Sequence, residues 1–184
     1  MGKIIAIVGM CGSGKSVACD YLENLGYKKV YFGGVTMDKL KEIGLEITPD
    51  NEKMMREKLR QDLGMGAYAK VLLPKIKELS INNNVVLDGL YSWDELVILN
   101  NEFKMTTIAV VADKKLRYER LEKRVVRPFS KSDAIKRDVS EIENIAKAGP
   151  IAYADYYIFN NSTINDFHNR LAEILSDLGS DNFE

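Results

Sequence analysis

Two rhythms of apolar and polar residues alternate along this chain. Lys3-Ile4-Ile5-Ala6-Ile7-Val8 is an almost unbroken apolar run, the pattern of a central parallel strand buried on both faces. A glycine-rich stretch follows. From Lys15 the apolar positions take helical spacing, with Val17, Ala18, Tyr21, Leu22 and Leu25 on one face and Gly26 as the stop. Residues 27–32 read as a second strand that Gly33-Gly34 breaks, and 36–43 as a short helix ending at Gly44. Thr48-Pro49-Asp50 is a helix start: a capping hydroxyl, proline at the first position, then an acid at the positive end. Residues 67–79 predict another helix, kinked or restarted at Pro74.

Asn82-Asn83-Asn84 marks a turn, and Val85-Val86-Leu87-Asp88 is a short buried strand ending in a carboxylate. Ser92-Trp93-Asp94-Glu95 is a capping box. Residues 106–111 form the next apolar strand, followed by Asp113 as cap and a basic helix through Arg124. Residues 127–132 read as loop. Residues 134–148 predict a helix with Ile135, Val139, Ile142 and Ala146 on its apolar face, stopped by Gly149-Pro150. Residues 156–159 are a last strand, with Tyr153, Tyr156 and Tyr157 as strand and core residues. Ile164, Phe167, Leu171, Ile174, Leu175 and Leu178 stripe a C-terminal helix, and 179–184 read as disordered.

Strands alternating with helices predict an α/β fold with a parallel sheet covered on both faces. The 184 residues contain no repeat and no linker, so one domain over 1–184 is expected. Composition changes little: 26 basic and 27 acidic residues almost cancel, giving no global pull towards nucleic acid or anionic membrane. No stretch nears the ~20 apolar residues of a membrane span. The only cysteines, Cys11 and Cys19, lie in one short segment, which fits a reducing compartment better than a disulfide scaffold. With no leader at the N-terminus, the cytoplasm is the expected location.

The chemistry lies in Gly9-Met10-Cys11-Gly12-Ser13-Gly14-Lys15-Ser16, a full P-loop pattern with a buried strand before it and a helix after it. Such a loop wraps the phosphates of ATP or GTP with successive backbone N–H groups at a helix N-terminus. Gly9 to Val17 is therefore the candidate nucleotide-binding stretch. Lys15 would reach the β- and γ-phosphates, and Ser16 would hold Mg²⁺. Asp88, at the end of its strand beside the loop, would orient the hydrated Mg²⁺. Cys11 within the loop is open to oxidation, which would block phosphate binding. His168, the only histidine, reads as an ordinary boundary residue. Met54, Met55 and Met65 read as core or hinge residues, with an adaptable acceptor pocket as the alternative.

Arg117, Arg120, Arg124, Arg127 and Arg137 cluster between the last two strands. Like charges at i,i+4 repel, so the cluster makes better sense as a clamp on a transferring phosphoryl group than as a solvated helix face. Nucleic acid is not an expected partner, because aromatic residues are not interleaved with these arginines.

Arg120-Leu-Glu-Lys-Arg124 followed by Arg137-Asp138 resembles the lid of adenylate-kinase-type nucleoside monophosphate kinases. The resemblance implies that Arg120 packs on the adenine and that Arg124 and Arg137 hold phosphates. The chain from about Gly2 to Leu178 resembles still more the adenylate-kinase-related, dephospho-CoA-kinase-like P-loop proteins of archaea and bacteria. Besides the phosphate loop, the matching stretches are 41–49, Leu73-Pro74-Lys75-Ile76, Asp88-Gly89 and Ala154-Asp155-Tyr156. This resemblance implies a P-loop NTPase fold of five parallel strands in the order 2-3-1-4-5. It also implies a helical acceptor region over 33–79, a lid over 125–148, and a purine beside the loop after the last strand.

The acceptor side departs from the resemblance. Gly33-Gly34 and Met37 stand where relatives carry Gly-Asp and an arginine, Tyr91 follows Asp88-Gly89-Leu90 where an arginine is usual, and Leu73-Pro74 lacks the histidine of dephospho-CoA kinases. The expected activity is a small-molecule kinase using ATP and Mg²⁺ on a nucleotide-like acceptor. Lys15, Asp88, Arg124 and Arg137 would carry the chemistry, in a monomer or homodimer. The alternatives are a dephospho-CoA kinase and, from another class, a nucleotide-dependent switch with slow ATPase activity.

Overall fold

The computed structural model describes residues 1–125 and 128–180, so Arg127 and the tail at 181–184 lie outside the described residues. Five strands form one parallel sheet: β1 Ile4–Val8, β2 Lys28–Tyr31, β3 Val85–Asp88, β4 Met105–Val111 and β5 Tyr156–Phe159, in the order β2-β3-β1-β4-β5. This is the predicted order. All of β1 is buried, with Ile4, Ala6 and Val8 on one face of the sheet and Ile5 and Ile7 on the other. Side chains alternate across a strand, and both faces here are covered, which is why this strand shows no polar alternation.

Ile4, Ala6 and Val8 pack with Phe32 just after β2 and with Leu40, Leu59, Tyr68, Ile76, Leu96 and Leu99, brought by α2 Gly34–Glu42, α3 Pro49–Leu63, α4 Ala67–Ser80 and α5 Trp93–Glu102. Ile5 and Ile7 pack with Ala18 and Leu22 of α1 Lys15–Asn24 and with Phe167, Leu171 and Ile174 of α9 Ile164–Ser180. A smaller core of Tyr118, Leu121 and Ala134 joins α6 Lys114–Glu122 to α7 Lys131–Ile145, with α8 Ala148–Ala152 following.

The caps at Thr48 and Ser92 are as predicted: Thr48 accepts from the N–H of Asn51, and Ser92 and Glu95 form both halves of a capping box. Elsewhere the elements differ from expectation. β2 ends before Gly33-Gly34 as expected, but α2 starts already at Gly34, two residues early, and α4 runs through Pro74 without a restart. α6 stops at Glu122, short of Arg124, and Asp113 stands before it without a side-chain cap. Gly149-Pro150 lies inside α8, the actual stop being Ala146 in a left-handed conformation with φ 50°. Gly179, expected to be disordered, belongs to α9. Tyr153 is exposed and packs edge-on to Trp93 rather than joining the core, and Tyr157 is exposed too.

The largest departure is in α7. Its apolar stripe, Ile135, Val139 and Ile142, faces solvent, and the buried residues are Ala134, Asp138, Glu141 and Ile145. Charged side chains face inward here because each buried carboxylate meets cations already in place, as the site shows.

Among the described residues, no helix is long and apolar enough to cross a membrane.

Candidate functional site

β1 lies between β3 and β4; the chain leaves β1 towards β2 and leaves the neighbouring β4 the other way, towards β5. The crevice beyond the C-terminal end of β1 is where open α/β sheets bind ligands. The loop from Gly9 to Gly14 fills this position. Gly9 and Gly14 hold φ of +148° and +105°, where L side chains are strained. A Cβ on Gly9 would come within 2.3 Å of the Val110 carbonyl oxygen, and one on Gly14 within 2.2 Å of Asn160 Nδ2. The backbone is thus pressed against its neighbours and can curve as a cradle. Asn160 fixes it from behind: its Nδ2 donates to Ser13 O at 2.8 Å, and its N–H donates to Val111 O at 2.7 Å.

α1 has no side-chain cap, so its first N–H groups face the cradle with the positive end of the helix behind them. Lys15 Nζ donates to Gly9 O at 2.9 Å and Met10 O at 3.1 Å. Burial, with the like charge of Lys147 adding, pulls this ammonium down to about 8. A lysine under that pressure is suited to an anion. Ser16 is exposed at the mouth, while Val17 packs on the core and does not line the cavity.

Asp88 ends β3 opposite Ile7 of β1. Burial raises its carboxyl above the ordinary range, against the pull of Lys15, Lys29 and the Cys19 thiol hydrogen-bonded to it. A carboxylate so placed gains from a cation. Among the described residues, no group of three or more His, Cys, Asp or Glu side chains is placed to hold a metal ion.

The arginines divide into two kinds. Arg117 is buried and fully engaged: it donates to Asp138 Oδ1 and Oδ2 at 3.1 and 2.6 Å and to Cys11 O at 2.9 Å. It is a tie between the phosphate loop and α7, which corrects its assignment to the clamp. Arg120, Arg124 and Arg137 do line the cavity. Arg120 Nη2 donates to Asn160 O at 2.9 Å, beside the loop after β5, and its Nη1 is buried without a hydrogen-bond partner. Arg124 is exposed. Arg137 Nε donates to Glu141 Oε1 at 2.7 Å.

Sequence reasoning missed Lys147, Glu141, Asn160 and Tyr68. Lys147 is 2% exposed, lines the cavity and donates to Glu141 Oε2 at 2.6 Å. Burial alone would raise the Glu141 carboxyl, but Lys147 and Arg137 outweigh it and hold it below the usual range. Nothing in the spacing of Glu141 and Lys147 marks them, since the contact arises only after Ala146 reverses the chain. Asn160 carried a faint signal, an Asn-Asn pair straight after a strand.

The cavity holds about 1140 Å³, large enough for two small molecules, single-ligand pockets being roughly 300–1,000 Å³. Its far side is formed by Tyr31, Thr36, Met37, Arg56, Arg60, Tyr68 and Tyr91. Thr36 Oγ1 and Tyr68 Oη are hydrogen-bonded at 2.7 Å, Arg60 lies over the Tyr68 ring at 5.7 Å, and Tyr68 meets Tyr91 edge-on at 6.2 Å. Arg56 pairs with Glu52 at 3.5 Å. Lys75 is exposed and outside the cavity, and Met55 is core. His168 packs on Tyr21 at 4.9 Å as a boundary residue.

A family model described as an AAA domain matches residues 5–143. A UPF0200 protein of Thermococcus onnurineus is 35% identical over 178 residues, covering 94% of this chain and 96% of its own length. Another, from Sulfurisphaera tokodaii, is 36% identical over 177 residues with the same coverage of 94% and 96%. Among solved structures, a gluconokinase from Sinorhizobium meliloti superposes with a TM-score of 0.61 at 14% identity, over 99% of this chain and 95% of that one. A shikimate kinase from Bacteroides thetaiotaomicron gives 0.60 at 12% identity, over 96% and 98%. The fold is that of the P-loop kinases.

Proposed function

We propose that this chain, which belongs to the UPF0200 protein family and carries an AAA domain, is an ATP-dependent kinase acting on a small, nucleotide-like acceptor. One observation carries the reading. A phosphate cradle and a strand-end carboxylate open into one cavity whose opposite wall is built of tyrosines and arginines, so donor and acceptor can meet in it.

In this reading the loop from Gly9 to Ser16 holds the ATP phosphates and Arg120 lies beside the purine near Asn160. Arg124 and Arg137 steady the charge of the moving group. Ser16 and Asp88 would hold Mg²⁺, which neutralises phosphate charge when bound. The acceptor hydroxyl oxygen bonds to the γ-phosphorus as the bond to the β-phosphate oxygen breaks. The electron pair leaves with ADP, and the hydroxyl proton goes to solvent. The region 33–79 supplies the acceptor wall through α2, α3 and Tyr68, and a lid lies within the segment 125–148, its moving part ahead of Asp138.

The test is ATP turnover screened against nucleotides, nucleosides and dephospho-CoA. Acceleration by one of them, with the phosphorylated product recovered, is the expected result. Slow turnover that no acceptor changes, and that a protein partner accelerates, would replace the kinase with a nucleotide-dependent switch.

A further inference from the structure

Lys147 is a buried ammonium whose counter-ion is shared with a second cation. It is 2% exposed and, among the described residues, makes its one side-chain hydrogen bond with Glu141 Oε2 at 2.6 Å. That carboxylate is already shared, since its other oxygen accepts from Arg137 Nε at 2.7 Å. Two cations on one carboxylate leave a net positive charge on this wall. An uncompensated buried charge is expensive, and it persists where an anion is to be bound. An ammonium also has three donors, so Lys147 retains hydrogen-bonding capacity towards the cavity it lines.

Its position is tightly specified. The ammonium lies over the Tyr91 ring at 5.1 Å, a cation–π contact that fixes it at the acceptor wall. The residue before it, Ala146, is the only described non-glycine residue with positive φ. That turn brings the Lys147 N–H to the Glu141 carbonyl at 3.1 Å and its side chain back onto the same residue's carboxylate. Observed backbone strain beside a site is a pointer to function. Lys15 and Arg137 line the same cavity as Lys147, so three cations share it.

We infer that Lys147 is a catalytic residue: it hydrogen-bonds the transferring phosphoryl group from the Tyr91 side, with Glu141 and Tyr91 positioning its ammonium. This rests on the phosphotransferase reading. In the step written above, negative charge spreads over the phosphoryl oxygens while both axial bonds are long, and Lys147 donates to one of these oxygens as Lys15 donates to another. Lys147 therefore acts mainly on the transition state and little on bound ADP.

The experiment compares wild type, Lys147→Met, Lys147→Arg and the double variant Glu141→Gln/Lys147→Met. Each is measured for binding of ADP–Mg²⁺ alone, for the tightening produced by aluminium fluoride, and for ATP hydrolysis without acceptor. Lys147→Met is expected to bind ADP within a few-fold of wild type and to lose about a hundredfold in the fluoride-dependent tightening and in hydrolysis, as for one lost oxyanion donor. Lys147→Arg should recover most of both. The double variant, which removes the carboxylate charge together with the ammonium, should regain thermal stability without regaining either. Full tightening in a folded Lys147→Met variant would overturn the role of Lys147 while leaving the phosphotransferase reading intact. A wild type that neither hydrolyses ATP nor responds to aluminium fluoride would overturn that reading, and this role with it.

Discussion

Arg117 holds Asp138 by both carboxylate oxygens, at 3.1 and 2.6 Å, while the same guanidinium donates to the carbonyl of Cys11 at 2.9 Å. Tyr118 Oη adds a third donor to Asp138 at 3.0 Å. One side chain thereby joins the phosphate loop, α6 and α7.

Breaking this pair from one side should be costly. Both side chains are below 10% exposed, and removing one partner of a buried ion pair costs about 3–5 kcal/mol. Arg117→Met and Asp138→Leu should each lose that order of stability in urea unfolding, and the double variant should lose less than their sum. Singles that lose under ~1 kcal/mol, the value of an exposed pair, would show that the tie is dispensable.

Lys15→Ala should lower turnover by at least about a hundredfold, roughly 2.7 kcal/mol of transition-state stabilisation. Among the described residues its side chain bonds only to carbonyls of its own loop, so the unfolding midpoint should move little. Near-normal turnover in the variant would take the loop out of the chemistry.

Much of this was legible beforehand, for physical reasons that differ by element. β1 was readable because burial on both faces leaves an unbroken apolar run, and the phosphate loop because its glycines are demanded by positive φ and by the closeness of Val110 and Asn160. α7 misled because its outward stripe of Ile135, Val139 and Ile142 looks like a core face. Amphipathic patterning assumes that charge faces water, and it fails where Asp138 and Glu141 find buried cations. Lys147 was hidden for the same reason: a lysine before Gly149-Pro150 looks like a helix end in solvent. Asn160, 147 positions from Ser13, acquires its meaning only when β5 is laid beside β4.

Glu95 predicts a pH dependence of stability. It is fully buried in the capping box, its Oε2 accepting from the N–H groups of Tyr91 and Ser92, its Oε1 without a hydrogen-bond partner. Burial pushes its carboxyl to about 7, with Asp94 adding slightly and the two N–H groups and Arg60 opposing. The folded state therefore holds its proton more tightly than the unfolded chain. Stability from this group is full below about pH 4.5 and falls as pH rises towards 7, at up to about 1.4 kcal/mol per pH unit. Glu95→Gln should keep the cap and flatten this limb. Thermal unfolding from pH 4.5 to 8 checks it, and identical slopes in both proteins would contradict it.

Lid closure should be local. Arginines that reach across a phosphate need a mobile segment, but α7 is tied to the loop at Asp138. ATP–Mg²⁺ should increase hydrogen-exchange protection most over residues 128–137, and little over 138–145. Equal protection with and without nucleotide throughout would argue against a lid.

The acceptor side yields the sharpest prediction. Gly34, Met37 and Tyr91 stand where charged groups were expected, and Lys75, one candidate substitute, is exposed away from the cavity. Arg56, Arg60 and Lys147 remain, but Arg56 is engaged by Glu52, Arg60 lies over Tyr68, and Lys147 at the Tyr91 ring is held by Glu141 and assigned above to the transferring group rather than to an acceptor phosphate. Each charge-assisted hydrogen bond missing from an acceptor phosphate is worth ~1.5–3 kcal/mol, so two cost a hundredfold or more in affinity. Burial keeps the Tyr91 phenol protonated well beyond its ordinary range, so it can donate to a sugar hydroxyl or stack on a ring. AMP, CMP, UMP and GMP should therefore be poor acceptors, and the true one bulkier or less charged near Tyr91. Tyr91→Ala should raise its KM about tenfold or more, a loss of roughly 1.4 kcal/mol. Phosphorylation of any common monophosphate with a micromolar KM and a kcat above ~10 s⁻¹ would contradict this. Arg56→Ala and Arg60→Ala would then be the variants to lose activity, because those two arginines would have to turn from their present partners to hold the phosphate.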